Sequence, residues 1–344
     1  MFSFLARQRP TTALINGVRI SVNAKETLLQ AALRHGIDFP HSCRVGGCAS
    51  CKCKLVSGQV RELTETGYIL SDQDLDAGYI LACQSVPKGD VCIEVDLARH
   101  QATRQVRGRV VAQSRLTHDI TRLVIQLEEG LNYRAGQYAN LRLDCLPQLR
   151  RSFSFATPVR PDAQVSFFIR QVSGGVFTSQ VGECSLIGHG VTLEGPLGEF
   201  HLRPASAPLL LVAGGSGLAP LLAMLQDALA GGVQRPATLL FGAREARDLY
   251  ALEEISAIAA QWRGSFRFVP VLSEVAADSS WQGERGLVTA QIPTLLQPGA
   301  HAYLCGPPAM IDNASALLRD AGVARAHIHA DRFTTFRDMA TALS

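Results

Sequence analysis

Four cysteines fall within eleven residues of the sequence, in the stretch CRVGGCASCKC at positions 43–53. Thiolates this close together could form disulfides, bind zinc or hold an iron–sulfur cluster. Four residues separate the first two cysteines, two separate the second from the third, and another cysteine follows after 31 further residues. This C-x4-C-x2-C spacing with one distant cysteine is typical of plant-type [2Fe–2S] sites. It predicts four iron ligands, namely Cys43, Cys48, Cys51 and Cys83.

The remaining cysteines are not needed for a metal. Zinc sites usually contain two C-x2–4-C pairs, whereas Cys83 is single and Cys53 follows Cys51 after only one residue. Two irons need four thiolates, and the spacing supplies them without Cys53. We therefore expect Cys53 to be a small buried thiol. The same expectation applies to Cys92, Cys145 and Cys184.

Composition and charge limit the possible functions. The chain has 344 residues, 47% of them hydrophobic, which is enough for two or three domains with sizeable cores. The formal net charge is only +3 and no basic block occurs, which argues against nucleic acid as a partner. No apolar run reaches the roughly 20 residues of a membrane helix, and the start, MFSFLARQRP, is too short for a secretory signal. These features predict a cytoplasmic protein, in which disulfides are disfavoured.

The hydrophobic pattern changes twice along the chain and predicts three domains. In residues 1–100, strand-like runs around an Asn16-Gly17 turn and one amphipathic helix predict a small β-rich domain. In residues 101–205, many short alternating runs predict an antiparallel β-barrel. In residues 206–344, apolar strands alternate with helices, which predicts an α/β domain with a parallel sheet of Rossmann-like type.

Two segments, PHSCRVGGCASCKCKLVSGQV and AGYILACQSVPKGDVCIEVD, resemble the ferredoxin domain of iron–sulfur flavoprotein reductases. These enzymes are reductase components of multicomponent oxygenases, of the xylene monooxygenase and of the benzoate and terephthalate dioxygenase type. The resemblance implies a β-grasp [2Fe–2S] ferredoxin domain, a FAD-binding barrel and an α/β NAD domain, a layout that is ferredoxin reductase-like. Electrons would pass from NADH to FAD, to the cluster and then to an external acceptor.

The barrel region carries motifs that resemble the flavin site of this family. The stretch LRRSFSFA is similar to R-x-Y-S, with phenylalanine in place of tyrosine. The resemblance implies that Arg151 binds the flavin pyrophosphate, that Phe153 lies beside the ring, and that Ser154 hydrogen-bonds near flavin N5. FFIRQVSGGVFTSQV resembles a second flavin segment, in which a helix N-terminus faces the pyrophosphate. The residues implied there are Gly174, Gly175, Val176 and Thr178. FAD is expected rather than FMN, because FMN enzymes of this superfamily usually place their ferredoxin domain last.

A glycine-rich turn in LLLVAGGSGLAP lies between an apolar strand and a helix. In this context glycines let the backbone approach the pyrophosphate of a dinucleotide. We expect four residues to bind the nicotinamide nucleotide here, namely Gly214, Gly215, Gly217 and Pro220.

Two later segments complete the resemblance. AYLCGPPAM is similar to the superfamily's C-G-P-P-x-M, which implies that Cys305 lies beside nicotinamide C4, with Gly306 and Pro307 in the same turn. HIHADRFTT resembles the family's terminal segment, which implies that Phe333 shields the flavin and that Asp331 lies near N5. Ser154 and Cys305 are thus the residues expected at the point of hydride transfer, where positioning does most of the work.

The choice between NADH and NADPH depends on the segment FGAREARDLY, which in this family contacts the adenosine ribose. Arg244 and Arg247 could hold a 2′-phosphate and favour NADPH. Glu245 and Asp248 would repel that phosphate and could accept hydrogen bonds from the ribose hydroxyls. The resemblance favours NADH, with Glu245 as a ribose ligand.

The expected function is that of an oxygenase reductase component. Its partner would be a terminal oxygenase or hydroxylase, Rieske or non-haem diiron, or the ferredoxin of such a system, acting on aromatic compounds or hydrocarbons. We expect a monomer that does not itself insert into a membrane, although the partner could be membrane-bound. Three alternatives stay open on the sequence: a reductase of the same layout for a deoxysugar dehydratase, a non-enzymatic iron–sulfur carrier or sensor, and a zinc-bound interaction module.

We predict that Cys48→Ser loses or cripples the cluster, whereas Cys53→Ser retains it, because only Cys48 follows the ligand spacing. The visible absorption and the iron and sulfide contents of the two purified proteins measure the outcome. A cluster that survives in Cys48→Ser and disappears in Cys53→Ser would contradict the ligand assignment.

Overall fold

A computed structural model describes most of the chain: residues 11–41, 44, 46, 49–64, 66, 69–70, 72–96, 104–275 and 279–333, with the backbone alone at 72 and 73. Two of the predicted iron ligands, Cys43 and Cys48, lie outside the described residues. The chain divides into two compact units, residues 1–101 and residues 102–344.

The described part of the first unit contains a mixed sheet and two short helices. Its elements are β1 (Thr11–Ile15), β2 (Val18–Val22), α1 (Leu28–Arg34), β3 (Lys52–Ser57), β4 (Val60–Glu62), α2 (Asp72–Asp76), β5 (Tyr79–Leu81), β6 (Ser85–Pro87) and β7 (Val91–Glu94). The sheet order is β2-β1-β7-β3-β5, with β1 parallel to β7, while β4 and β6 form a separate pair. Leu28 and Leu29 of α1 are buried in the same core as the sheet. This arrangement is the predicted β-grasp fold.

Local signals in the sequence explain how this unit forms. Asn16 and Gly17 both have positive φ, 47° and 84°, as a type I′ hairpin turn requires. Helix α1 begins with a capping box, in which Thr27 Oγ1 accepts from the Gln30 amide at 3.2 Å and Gln30 Oε1 accepts from the Thr27 amide at 3.0 Å. The helix ends next to Gly36, whose φ of 73° suits glycine.

The cysteines outside the cluster motif differ from one another in exposure. Cys53 is buried in β3, and burial followed by the nearby Cys83 raises the pKa of its thiol to about 12, as expected for a packing residue. The same expectation is wrong for the other three. Cys92 is half-buried, and Cys145 and Cys184 are exposed because they lie at the ends of barrel elements instead of on an inward-facing strand position.

The second unit starts with an antiparallel barrel. Its elements are β8 (Arg104–Arg115), β9 (Ile120–Leu127), β10 (Tyr138–Leu143), β11 (Arg151–Ser154), β12 (Gln164–Arg170), α3 (Val176–Glu183) and β13 (Gly190–Leu197). The strand order is β11-β10-β13-β8-β9-β12, and a bridge between Phe155 and Phe167 brings the two edge strands together. Both phenylalanines are fully buried inside this nearly closed sheet. Closure leaves no long open edge.

A parallel sheet follows the barrel. Its elements are β14 (Leu209–Gly214), α4 (Leu218–Ala230), β15 (Ala237–Ala243), α5 (Leu252–Gln261), β16 (Phe266–Leu272), β17 (Glu284–Arg285), α6 (Ile292–Leu295), β18 (His301–Gly306), α7 (Pro308–Asp320) and β19 (Ile328–Arg332). The order is β17-β16-β15-β14-β18-β19, and all pairs are parallel. The strand order reverses between β14 and β18, which is where ligands bind in open α/β sheets.

Among the helices in the described part of the chain, none combines the length and the apolar character needed to cross a lipid bilayer.

Aromatic and imidazole rings stack on one face of β18 and β19. His329 stacks on Tyr303 with ring centroids 4.8 Å apart, and His301 stacks on His327 at 4.1 Å. The Tyr303 hydroxyl accepts a hydrogen bond from the Arg203 amide at 2.8 Å. Burial, and after it the positive charge of Arg203, lower the pKa of His329 to about 3. The folded protein therefore holds this imidazole neutral.

We predict that the second unit loses stability as the pH falls below about 6.5, the ordinary pKa of histidine. Below that pH the unfolded chain protonates His329 while the folded chain does not, so the loss grows until the pH approaches the folded pKa. His329→Phe keeps the stack on Tyr303 and removes the titration. Between pH 7 and pH 5, the free energy of unfolding should fall in both proteins. The fall should be about 2 kcal/mol smaller in the His329→Phe variant than in the wild type. Urea unfolding at both pH values measures this, and an equal fall in both proteins would contradict it.

Candidate functional site

Three side chains from the barrel and the parallel sheet meet at one place. Ser154, the last residue of β11, donates a hydrogen bond from Oγ to Asp331 Oδ2 at 3.4 Å. Asp331 lies on β19 directly beside Cys305 of β18 in the strand register. Ser154 is 5% exposed and Cys305 is fully buried. The structure thus brings together the two residues that the sequence predicted at the transfer point, with Asp331 between them.

The Cys305 thiol stays protonated at neutral pH. Burial, and after it the negative charge of Asp331, raise the pKa of this thiol well above its usual range. A thiolate is the nucleophile in cysteine chemistry, so Cys305 is not placed to act as one. The thiol is instead a small, uncharged group at the carboxyl end of β18.

A second group of residues lies around the start of α3. Phe153 is half-buried on β11, and its ring centroid is 5.5 Å from that of Phe177 in α3. Arg151 lies two residues earlier on the same face of β11 and donates from Nη1 to its neighbour's carbonyl at 2.8 Å. Helix α3 begins at Val176, and its N-cap residue Gly175 provides no side-chain cap. Amide groups of the first helical turn therefore remain for an anion.

The glycines before α3 make its tight entry possible. Gly174 has a φ of 75°, and a Cβ on Gly175 would lie 2.5 Å from Thr178 Oγ1. Thr178 Oγ1 accepts from the Val172 amide and donates to the Gly175 carbonyl, both at 3.1 Å. The threonine closes the turn in this way. An uncapped helix N-terminus, a half-buried aromatic ring packed on that helix, and an arginine on the same strand face as the ring fit the pyrophosphate and ring of a flavin nucleotide.

The glycine-rich turn after β14 packs directly against β18. A Cβ on Gly217 would lie 2.1 Å from the Cys305 carbonyl oxygen, so only glycine permits this contact. Gly215 has a φ of 56°, and its carbonyl accepts a hydrogen bond from Tyr250 Oη at 3.0 Å. Helix α4 follows with Gly217 as an N-cap that has no side-chain bond, and Pro220 is buried in its first turn.

The turn after β18 lies against the same glycines. A Cβ on Gly214 would lie 2.7 Å from Met310 Sδ and 3.0 Å from Pro307 Cδ. Gly306 accepts a hydrogen bond from the Phe333 amide at 3.0 Å. Two uncapped helix starts, α4 and α7, therefore meet at the point where the sheet order reverses. This arrangement fits a dinucleotide pyrophosphate.

The segment FGAREARDLY forms a charged 3₁₀ turn after β15. Glu245 begins the turn, and its amide donates to Asp248 Oδ2 at 3.0 Å. The Glu245 carboxylate pairs with Arg247 Nε at 3.0 Å. The side chain predicted as a ribose ligand is therefore already engaged by a neighbouring arginine on the surface of the protein.

Two of the four predicted iron ligands lie within the described residues and are adjacent. The Cys83 amide donates to Cys51 Sγ at 3.4 Å, and both residues are almost fully buried. Before Cys51, the described residues Arg44, Gly46 and Ala49 all have positive φ. Left-handed backbone of this kind can turn amide groups toward a bound anion. The arrangement fits an anionic [2Fe–2S] cluster.

Several polar residues that support these sites lie outside the sequence motifs. Gln84 Nε2 lies 3.6 Å from Cys83 Sγ and 3.4 Å from the Arg44 carbonyl, so it ties the cysteine loop to the distant ligand. Tyr250 supports the glycine turn through its hydrogen bond to Gly215. Arg170 lies close to the same turn, because a Cβ added to Gly215 would be 3.1 Å from Arg170 Nη1. Gln84 could have been found from its position next to a predicted ligand. The other two have no local sequence signal.

Comparison with known proteins agrees with this layout. Three family models match in chain order: the 2Fe-2S iron-sulfur cluster binding domain over residues 13–88, the oxidoreductase FAD-binding domain over 107–202, and the oxidoreductase NAD-binding domain over 211–316. The electron transfer component of the xylene/toluene monooxygenase of Pseudomonas putida is 42% identical, over 92% of this chain and 91% of its own length. The chain belongs to the family of iron–sulfur flavoprotein reductases. The expected fold class and the expected cofactors, a [2Fe–2S] cluster, FAD and NAD, are confirmed.

Other members share the layout of this reductase over nearly their whole length. The reductase component of phenol 2-monooxygenase from a Pseudomonas species is 36% identical, over 94% of this chain and 93% of its own. The crystal structure of an Amycolatopsis cytochrome P450 reductase superimposes with a TM-score of 0.70 at 32% identity, covering 94% of this chain and 99% of that one. The reductase is therefore an oxidoreductase that carries electrons from a nicotinamide through FAD to an iron–sulfur cluster.

We predict that Gly217→Ala destabilises the second unit by about 1–3 kcal/mol, because the new methyl group must displace the Cys305 carbonyl. It should also slow flavin reduction by NADH more than tenfold, since the displaced strand carries Cys305, the residue predicted at the transfer point. Gly130→Ala is the control: a Cβ there meets nothing within 4 Å and its φ is not left-handed. Urea unfolding and anaerobic stopped-flow reduction measure both effects. Wild-type behaviour of Gly217→Ala would show that the close approach is not required.

Proposed function

We propose that this reductase is the electron-transfer component of an oxygenase system for aromatic compounds or hydrocarbons. It takes electrons from NADH and delivers them to a terminal oxygenase or hydroxylase, or to the ferredoxin of such a system. The observation that carries the proposal is full-length similarity to electron-transfer components with this task, at 42% identity for xylene/toluene monooxygenase and 36% for naphthalene 1,2-dioxygenase and phenol 2-monooxygenase. We also propose a monomer in the cytoplasm, with domains at 1–100, 101–205 and 206–344.

FAD supplies the chemistry that accepts a hydride and returns electrons singly. Around it, the protein positions the reactants. We propose that Ser154 Oγ, held by Asp331, orients the reactive edge of the flavin. The protonated Cys305 thiol offers the nicotinamide an uncharged surface, because burial holds its pKa high. Phe333 follows β19 and shields this place from water.

The nucleotide contacts are proposed on the same grounds. Arg151, Phe153 and the uncapped start of α3, from Gly174 to Thr178, bind the flavin pyrophosphate and ring. The nicotinamide nucleotide lies across two turns at the carboxyl edge of the parallel sheet, formed by Gly214, Gly215, Gly217, Pro220, Gly306 and Pro307. In each case amide groups at a helix start meet the diphosphate. Glu245 is proposed as a ribose ligand.

The cluster ligands are proposed to be Cys43, Cys48, Cys51 and Cys83. Two hydrogen bonds reach the sulfurs of the described ligands, from the Cys83 amide to Cys51 and from the Gln84 amide group to Cys83. Hydrogen bonds to ligand sulfur stabilise the added negative charge of a reduced cluster. They therefore favour the cluster as an electron acceptor.

A serine pair on β11 provides the test of the transfer point. Ser154→Ala removes the hydroxyl that contacts Asp331, and it should slow anaerobic flavin reduction by NADH at least tenfold while the cluster and flavin spectra remain. Ser152→Ala is the matched control, because Ser152 is exposed and its Oγ donates to Asn140 Oδ1 at 2.7 Å instead. Equal rates in the two variants would remove Ser154 from the proposed site. The complete absence of NADH-dependent bleaching in the wild type would instead favour a non-enzymatic carrier.

A reconstitution experiment tests the partner class. The wild-type reductase is combined with NADH and either a purified aromatic hydroxylase component or a deoxysugar dehydratase. Product formed only with the hydroxylase supports the proposal, whereas coupling only to the dehydratase would overturn it.

A further inference from the structure

A charge network joins the barrel to the segment after β15. Asp119, in the turn between β8 and β9, accepts from Arg170 Nε at 2.7 Å and lies 4.0 Å from Arg244 Nη2. Its neighbour His118 lies 3.2 Å from Asp248 Oδ1. Asp248 in turn lies 3.9 Å from Arg244 Nε. Arg244 is thus bracketed by one carboxylate from the barrel and one from its own segment.

The carboxylate of Asp119 is fixed in place and ionised. Its side chain is only 17% exposed, and Thr117 Oγ1 donates to it at 2.9 Å. Burial opposes its ionisation, but the hydrogen bond and charge of Arg170 outweigh burial and lower the pKa of this carboxyl. His118, Asp119 and Asp248 also have the spacing of metal ligands. Because arginines already neutralise both carboxylates, a cation would have to displace these ion pairs to bind.

The segment that carries Arg244 is the one proposed to meet the adenosine ribose. Its other arginine, Arg247, pairs with Glu245 at 3.0 Å. A further acid, Glu274, is adjacent, since its amide donates to the Arg244 carbonyl at 2.8 Å. Within the described residues, both arginines of the segment therefore face carboxylates. A 2′-phosphate, which needs a cation to bind, would meet two occupied arginines and several negative charges.

We propose that Asp119 is a specificity-determining residue of the nucleotide site: with Asp248 it occupies the Arg244 guanidinium and denies it to the 2′-phosphate of NADPH. This inference deepens the proposed use of NADH and rests on it. It assigns the choice of nucleotide partly to a residue of the barrel, outside the segment that follows β15. Asp119 acts through Arg244 and does not itself touch the nucleotide.

The test is calorimetric titration of the full-length holoprotein with 2′,5′-ADP and with 5′-AMP. Asp119→Asn should raise the affinity for 2′,5′-ADP about tenfold and that for 5′-AMP less than twofold, because only the first ligand carries the 2′-phosphate. The gain should disappear in the double variant Asp119→Asn/Arg244→Ala. The ratio of kcat/KM for NADPH to that for NADH should move in the same direction. Asp248→Asn removes the other carboxylate and should also raise the affinity for 2′,5′-ADP. It serves as a second variant if Asp119→Asn folds poorly.

Asp162→Asn is the matched control. Asp162 pairs with Arg160 at 2.6 Å in the barrel, but it lies near the Gln164 end of β12, whereas Arg170 and Asp119 lie at the other end. Its variant should bind both ligands as the wild type does. Unchanged 2′,5′-ADP affinity in a folded Asp119→Asn protein would overturn the proposal, as would a gain that survives the loss of Arg244. If Asp119→Asn does not fold, unchanged affinity in Asp248→Asn would overturn it. Flavin reduction of the wild type by NADH tests the proposed function separately.

Discussion

The contact between Ser154 and Asp331 joins two architectures that are built on different principles. Ser154 ends an antiparallel barrel strand, and Asp331 lies on the edge strand of a parallel sheet. Hydride transfer at the proposed site would require two bound ring systems in van der Waals contact, and therefore one edge of each sheet at the same place. The barrel supplies a hydroxyl there and the parallel sheet supplies a carboxylate and a thiol. The remaining features of the second unit keep these edges together.

Glycine is the means by which the parallel sheet reaches that place. Gly217 allows the turn after β14 to touch the Cys305 carbonyl, and Gly214 allows it to touch Pro307. These contacts set two uncapped helix starts side by side, where the diphosphate of the nucleotide is proposed to bind. Cys305 on the neighbouring strand is completely buried, and this burial raises the pKa of its thiol and leaves it neutral. The proposed nucleotide site and the uncharged Cys305 thiol therefore both lie where the glycine turn packs against β18.

Features that depend on local spacing could be predicted from the sequence. The C-x4-C-x2-C motif, the Asn16-Gly17 hairpin and the glycine turn after β14 each carry their meaning within a few residues. The layered order of barrel and parallel sheet also followed from the change in hydrophobic period. The exposure of single residues could not be predicted in this way. Cys145 and Cys184 are exposed, because tertiary packing decides whether a residue at the end of a strand or helix faces the core. Residues that act across long separations, such as Asp119 beside Arg244, leave no pattern in a single sequence.

Charge is handled differently near Cys305 and near Arg244, because the two places differ in solvent exposure. At the proposed transfer edge, burial keeps the thiol of Cys305 protonated, so Asp331 is the charged group beside it. At the proposed ribose end, the arginines are exposed and pair with carboxylates, of which Asp119 and Asp248 are mostly buried. Exposed pairs are individually weak and are screened by salt. They contribute little to stability, but under the proposal above they compete with a phosphate for the Arg244 guanidinium. In the proposed site, selectivity would thus be set by charges that contribute little to stability, while hydride transfer would depend on the buried edge.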